Sequence, residues 1–274
     1  MSRPIPQAPA HVPCPSVCAE FDSPGGRVAD SEMQQHRRDL AVACRVMAHR
    51  GLVADILGHI SLRVGSDQLL MRCRGPEERG LRFTVADDIR LVDLDGLAGL
   101  PGELDTHRPP NELPIHTEIL RARADVASVV HVHPPDVVVA AMSGIELVPC
   151  IGAYDIPAMR LAERGIPIHR RSVLISRPEL AAEMLTSMAG ADVVVLSGHG
   201  LVTCGATPIE AMLRALQVTE LARISLAVVS AGGTPEPISA RDRAELPDLG
   251  AGFNHEVLWR HHVACLEADG WGHP

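Results

Sequence analysis

The chain has 274 residues, 46% of them apolar, yet only six are aromatic (three Phe, two Trp, one Tyr), so a core must be built from Ala, Val, Leu and Ile. A net charge of −9 and an isoelectric point near 5.8 give none of the basic excess that nucleic acid or an anionic membrane surface requires, and both partners are set aside. No apolar run reaches the roughly 18 residues of a spanning helix, no basic-then-apolar leader opens the chain, and seven scattered cysteines read as free thiols of a cytoplasmic protein.

Residues 1–29 carry six prolines without apolar periodicity and read as an extended or disordered tail, in which His11, Cys14 and Cys18 make an incomplete zinc spacing. A helix follows, capped by Asp30 or Ser31 and ending at Gly51, with Leu40, Val42, Ala43, Val46 and Met47 on its apolar side. Gly58–Val64 alternates like a half-buried strand and pairs with Gln68–Cys73 across Gly65-Ser66-Asp67; Ile89–Leu94 is the next strand. Between them, four arginines (Arg72, Arg74, Arg79, Arg82) fall within eleven residues. They either offer bidentate forks to an anion or pair with Glu77 and Glu78 in a solvated loop. Pro109-Pro110-Asn111-Glu112 is a helix entrance with Asn111 as cap, leading to Arg123.

Ala127–His133 is a β-branched strand stopped by Pro134-Pro135. A helix over 136–142, a short strand over 146–150, a loop holding Tyr154 and a helix over 156–163 come next. Val173–Ser176 reads as a strand, 178–188 as a helix opened by Pro178, and 192–196 and 201–204 as strands joined by Ser197-Gly198-His199-Gly200. A long helix spans 208–230. Residues 231–274 form a Pro/Gly-interrupted tail with one helical candidate, 256–268, holding His261 and His262; this tail either folds over a site, its own or a neighbour's, or stays solvated. The alternation over about 30–230 shows no internal repeat and indicates one α/β domain.

His131 and His133, at i and i+2 of a strand, share one face and look into one space. Imidazole is the commonest side-chain metal ligand. His199, between glycines that permit a tight turn, is the natural third ligand, and three imidazoles with open positions describe a catalytic divalent-metal site. A plain pair of strand histidines and a plain hairpin histidine are the competing readings.

The segments Gly58-His59-Ile60-Ser61, Asn111-Glu112, Arg123-Ala124-Asp125-Val126 through His131-Val132-His133, and Gly198-His199-Gly200-Leu201 resemble, in order and spacing, the class II aldolase/adducin family over about residues 35–230. The resemblance implies a three-layer α/β/α fold with a central, mostly antiparallel sheet. It implies a divalent metal on His131, His133 and His199, zinc first, with manganese, cobalt or iron(II) as alternatives, and Glu112 as general acid/base. A homotetramer or other homo-oligomer with sites at subunit interfaces is implied as well. Metal-free adducin-type scaffolds also occur in the family, but this chain keeps all three histidines.

The chain departs from the family's sugar-phosphate aldolases where they hold phosphate. His59 replaces an Asn, Pro110-Asn111 replaces a Ser pair, and the Arg72–Arg82 segment replaces a small hydroxyl loop. Arginine forks suit a planar carboxylate better than a sugar phosphate. Arg72-Cys73-Arg74-Gly75-Pro76-Glu77-Glu78, Pro109-Pro110-Asn111-Glu112-Leu113-Pro114 and Trp259-Arg260-His261-His262 resemble the family branch that decarboxylates dihydroxylated aromatic acids. On that reading a catechol meets the metal, Arg74 or a neighbour such as Arg72 holds carboxylate, Ser61 and Asn111 line the substrate, and Glu112 or His59 protonates the carbon that loses CO2. The rival is an aldolase of a non-phosphorylated hydroxy-keto acid, with Tyr154, otherwise a loop packing residue, as acid within its own site or across a subunit interface. His116, one turn after Glu112, either supports the site or lies on the helix surface.

Overall fold

The computed structural model describes residues 30–272; the proline-rich segment with His11, Cys14 and Cys18 lies outside the described residues. Seven strands form one sheet in the order β3-β2-β1-β4-β7-β6-β5, with β1 His59–Arg63, β2 Gln68–Arg72, β3 Ile89–Asp93, β4 Ser128–Val132, β5 Ile168–His169, β6 Val193–Leu196 and β7 Gly200–Gly205. Every pairing is antiparallel except β5 with β6.

Strand alternation divides the core in two. Ile60, Leu62, Leu70, Val130, Val132, Val193 and Val195 face one layer. That layer contains α1 (Asp30–His49), α3 (Pro135–Met142), α4 (Ile156–Ala162) and α6 (Pro208–Ser230). Met71, Val129, Val194, Leu196, Val202 and Cys204 face the other, covered by α2 (Leu113–Ala122) and α5 (Pro178–Met188). The result is the expected three-layer α/β/α arrangement, filled almost wholly by aliphatic side chains that the period-2 pattern sends alternately up and down.

Two predicted strands are absent. Residues 146–150 and 173–176 are irregular. Pro149 interrupts the first, and its carbonyl accepts from the amide of Ile238 rather than from a strand. In the second, the Ile175 amide is turned to Glu112. The short β5 was not foreseen, nor was α7 (Ala240–Glu245), although the Ser239 hydroxyl accepts from the Asp242 amide at 3.0 Å as an ordinary N-cap. After α7, a π-helical turn at Gly252–Val257 leads into α8 (Leu258–Ala268), which packs on α1, where His49 meets Asp269 at 2.7 Å and Arg82 lies 3.9 Å over the Trp271 ring. His262 is buried beside α1, on the sheet face opposite to the one that carries His59 and His131.

Candidate metal and proton-transfer site

Register brings the site together. His59 on β1 stands directly opposite His131 on β4, and Val132 stands opposite Leu201 on β7. The β6–β7 turn then carries His199 back over the end of β4. Gly198 takes φ +64°, and Gly200 approaches so closely that a Cβ there would stand 2.4 Å from the Val132 carbonyl oxygen. Only glycine permits that contact, and it sets the His199 ring 5.0 Å, centroid to centroid, from that of His133.

Glu112, His131, His133 and His199 each offer one ligand atom, all within 4.8 Å of one another. His133 Nε2 is 2.8 Å from His131 Nε2, and the Glu112 oxygens lie 3.3 Å from His131 Nε2 and 3.4 Å from His199 Nε2. His131 Nδ1 lies 3.1 Å from the Leu201 carbonyl, which can only accept. That nitrogen therefore carries a proton, so with a metal bound Nε2 would present its lone pair to the ion, as a metal-binding histidine requires. The donor set and its fixed tautomer fit a divalent ion.

The carboxylate of Glu112 is buried at the N-cap of α2 but makes no cap bond. It accepts instead from the Ile175 amide at 2.9 Å. Burial alone would raise its pKa, but hydrogen bonds and charge from His131 and His199 outweigh burial and hold it well below the usual carboxylate range. Burial, then His131 and His199, and in lesser part Arg74, depress His133 to about 3.

Behind the cluster runs a buried chain. His59 Nδ1 is 2.7 Å from His116 Nε2, and His116 Nδ1 is 2.7 Å from Ser61 Oγ. Burial and neighbouring imidazoles keep both rings neutral, His116 at about 3 and His59 well below its ordinary value. The two rings therefore hold one tautomer pair between them. If Ser61 donates to His116, His116 donates to His59, and His59 keeps a proton on Nε2.

Several expected substrate contacts fall elsewhere. Ser61 is fully buried against His116 and cannot touch a ligand. Arg72 lies on the α1 face, two residues beyond Leu70, ion-paired with Glu78, which also accepts from the Gly80 amide. Asn111 is exposed and caps nothing, because Glu112 itself occupies the cap position. Tyr154 is 66% exposed and donates to Glu220 on α6, on the far side of the sheet from its own chain's site, which leaves it only the cross-subunit role. Arg74 is bridged through its backbone to Arg108, four residues before Glu112, and its guanidinium has no partner among the described residues. Burial pushes the Cys73 thiol up to about 12, so it is no nucleophile. Sequence reasoning missed the Leu201 carbonyl and the Ile175 amide, because a backbone group leaves no trace in residue identity.

The chain belongs to the class II aldolase and adducin family: residues 38–226 match the Class II Aldolase and Adducin N-terminal domain. It is 53% identical over 233 residues to a 3,4-dihydroxyphthalate decarboxylase of Arthrobacter keyseri, covering 85% of this chain and 94% of that one. A 3,4-dihydroxyphthalate decarboxylase of Terrabacter sp. is 51% identical over 242 residues, covering 88% and 99%. Among solved structures, an aldolase II superfamily protein from Pseudomonas syringae superimposes with a TM-score of 0.74 at 22% identity, covering 90% of this chain and 97% of that one.

Proposed function

We propose that the protein is a metal-dependent carboxy-lyase that converts 3,4-dihydroxyphthalate to 3,4-dihydroxybenzoate (protocatechuate) and CO2. The observation that carries this reading is the buried convergence of His131, His133, His199 and Glu112 beside a neutral His59, in a chain half identical to decarboxylases of that substrate. The family resemblance favours zinc, with manganese, cobalt or iron(II) as alternatives, and a homo-oligomer with sites at subunit interfaces; the scattered cysteines favour a cytoplasmic setting. All 25 basic side chains are arginine, so no lysine amine is available for imine chemistry.

A divalent ion on the three imidazoles would supply Lewis-acid stabilisation to negative charge on the catechol oxygens. The residues of the chain handle the proton. Glu112, ionised at rest, takes the proton of the hydroxyl adjacent to the departing carboxylate. Electron density from that oxygen enters the ring, and Glu112 returns the proton to the ring carbon. As CO2 leaves, the pair of the broken C–C bond restores the aromatic ring and returns negative charge to the hydroxyl oxygen, which takes a proton from water. His59, held neutral by His116, presents Nε2–H as a hydrogen-bond donor to the developing charge. Arg74 holds carboxylate at the mouth.

The test is CO2 release from 3,4-dihydroxyphthalate by protein reconstituted with zinc, then manganese, cobalt or iron(II). We expect one CO2 and one protocatechuate per substrate. Glu112→Gln should retain bound metal and lose turnover by ~10²–10⁴-fold. Metal-loaded protein that releases no CO2 rejects the reading and leaves the hydroxy-keto acid aldolase to be assayed.

A further inference from the structure

We propose that Arg74 and Arg108 form a two-guanidinium clamp for the adjacent carboxylates of a vicinal dicarboxylate, with Arg108 as a specificity-determining residue. The substrate class rests on the decarboxylase reading above; the clamp itself rests on geometry.

The two residues form an isolated antiparallel bridge, each amide donating to the other's carbonyl at 2.9 Å. In a hydrogen-bonded antiparallel pair the side chains leave on the same face from Cα atoms about 5.5 Å apart. Like charges so placed repel unless an anion lies between them. Yet neither guanidinium has a carboxylate or hydrogen-bond partner among the described residues, although the chain carries a net charge of −9. Arg72, two residues before Arg74, is by contrast paired with Glu78.

The bridge is tethered close to the site: Pro109-Pro110 leads stiffly from Arg108 to Glu112, four residues on. It is also braced from behind. A Cβ on Gly75 would stand 2.8 Å from His107 Nε2, and His107 Nδ1 accepts from Arg90 at 3.1 Å. Two planar forks fixed side by side match two adjacent carboxylates, each bidentate. A substrate with both carboxylates engages both forks, and a product that has lost one engages a single fork and leaves more readily.

The experiment is calorimetric titration of metal-loaded wild type, Arg74→Met and Arg108→Met with phthalate, terephthalate and catechol. Wild type should bind phthalate at least about tenfold tighter than terephthalate, whose carboxylates point apart. Each variant should weaken phthalate by about tenfold or more, and Arg108→Met should leave catechol within about twofold. In turnover, Arg108→Met should raise KM more than it lowers kcat. Arg108 is exposed, so an unchanged Tm and metal content will show that the fold is intact. No phthalate binding by wild type, unchanged binding by Arg108→Met, or equal weakening of catechol overturns the clamp. CO2 release with an Arg108-independent phthalate affinity rejects the clamp alone. Arg108-dependent phthalate binding without CO2 release rejects the decarboxylase alone.

Discussion

A histidine has two nitrogens, and the partner of one decides what the other can do. The Leu201 carbonyl holds a proton on His131 Nδ1, and His116, when Ser61 donates to it, leaves His59 its proton on Nε2. His116 itself is fully buried and touches no reacting atom, so it is a positioning residue. His116→Leu should lower kcat by about 10–100-fold with bound metal retained, since it removes the orienting bond while leaving the ligands in place. His116→Gln, whose amide can still donate toward His59, should recover part of the loss. Equal kcat in the Leu and Gln variants would show that His116 only fills space. The Leu variant should also be less stable by about 1–3 kcal/mol, because His59 Nδ1 and Ser61 Oγ lose a buried partner.

At the scale of elements, the site is an end-of-strand constellation held by one tight turn. Gly200→Ala would drive a methyl into the Val132 carbonyl and against His133 Cδ2, 2.8 Å from the added carbon. Backbone would have to shift, so a loss of about 2–3 kcal/mol of stability and weaker metal binding are expected. Denaturant midpoints and a metal titration check both, and a variant unchanged in both would show that the close approach sets nothing. This turn was legible in the sequence because glycines flanking a histidine have few other uses. The His131/His133 pair was legible because strand period is rigid. Arg72 was misplaced for the same reason in reverse: period-2 parity sends it to the α1 face with Leu70, and a loop reading ignores parity. Residues 173–176 read as a strand because composition reports β-propensity, not whether a neighbouring ladder exists. There the amide that would have joined a ladder binds Glu112.

For the whole molecule, the site is a cost to folding that a ligand offsets. His59, His116 and His133 are held neutral in the fold, with depressed pKa values, two of them about 3, against an ordinary 6.5. The unfolded chain therefore binds more protons below pH 6.5. The stability these groups contribute is fully present above that pH and drains away as pH falls toward about 3, at about 1.4 kcal/mol per pH unit for each unmatched proton. The depressed Glu112 acts in the same direction once pH falls below its ordinary 4.5. Metal-free protein should accordingly lose Tm steadily from pH 6.5 to 4.5 and be nearly flat from 7 to 8. A divalent ion binding only the folded state adds about 2.7 kcal/mol at a hundred times Kd, which for a chain of this size is about 5–10 °C in Tm. Chelator should abolish that gain in wild type, and His133→Ala should show no gain to abolish, because one of its three imidazoles is gone. Scanning calorimetry of both proteins, with and without zinc, reads the two effects separately: a Tm gain that persists in His133→Ala places the ion elsewhere, and a pH-independent Tm between 4.5 and 6.5 means the buried rings are protonated in the fold.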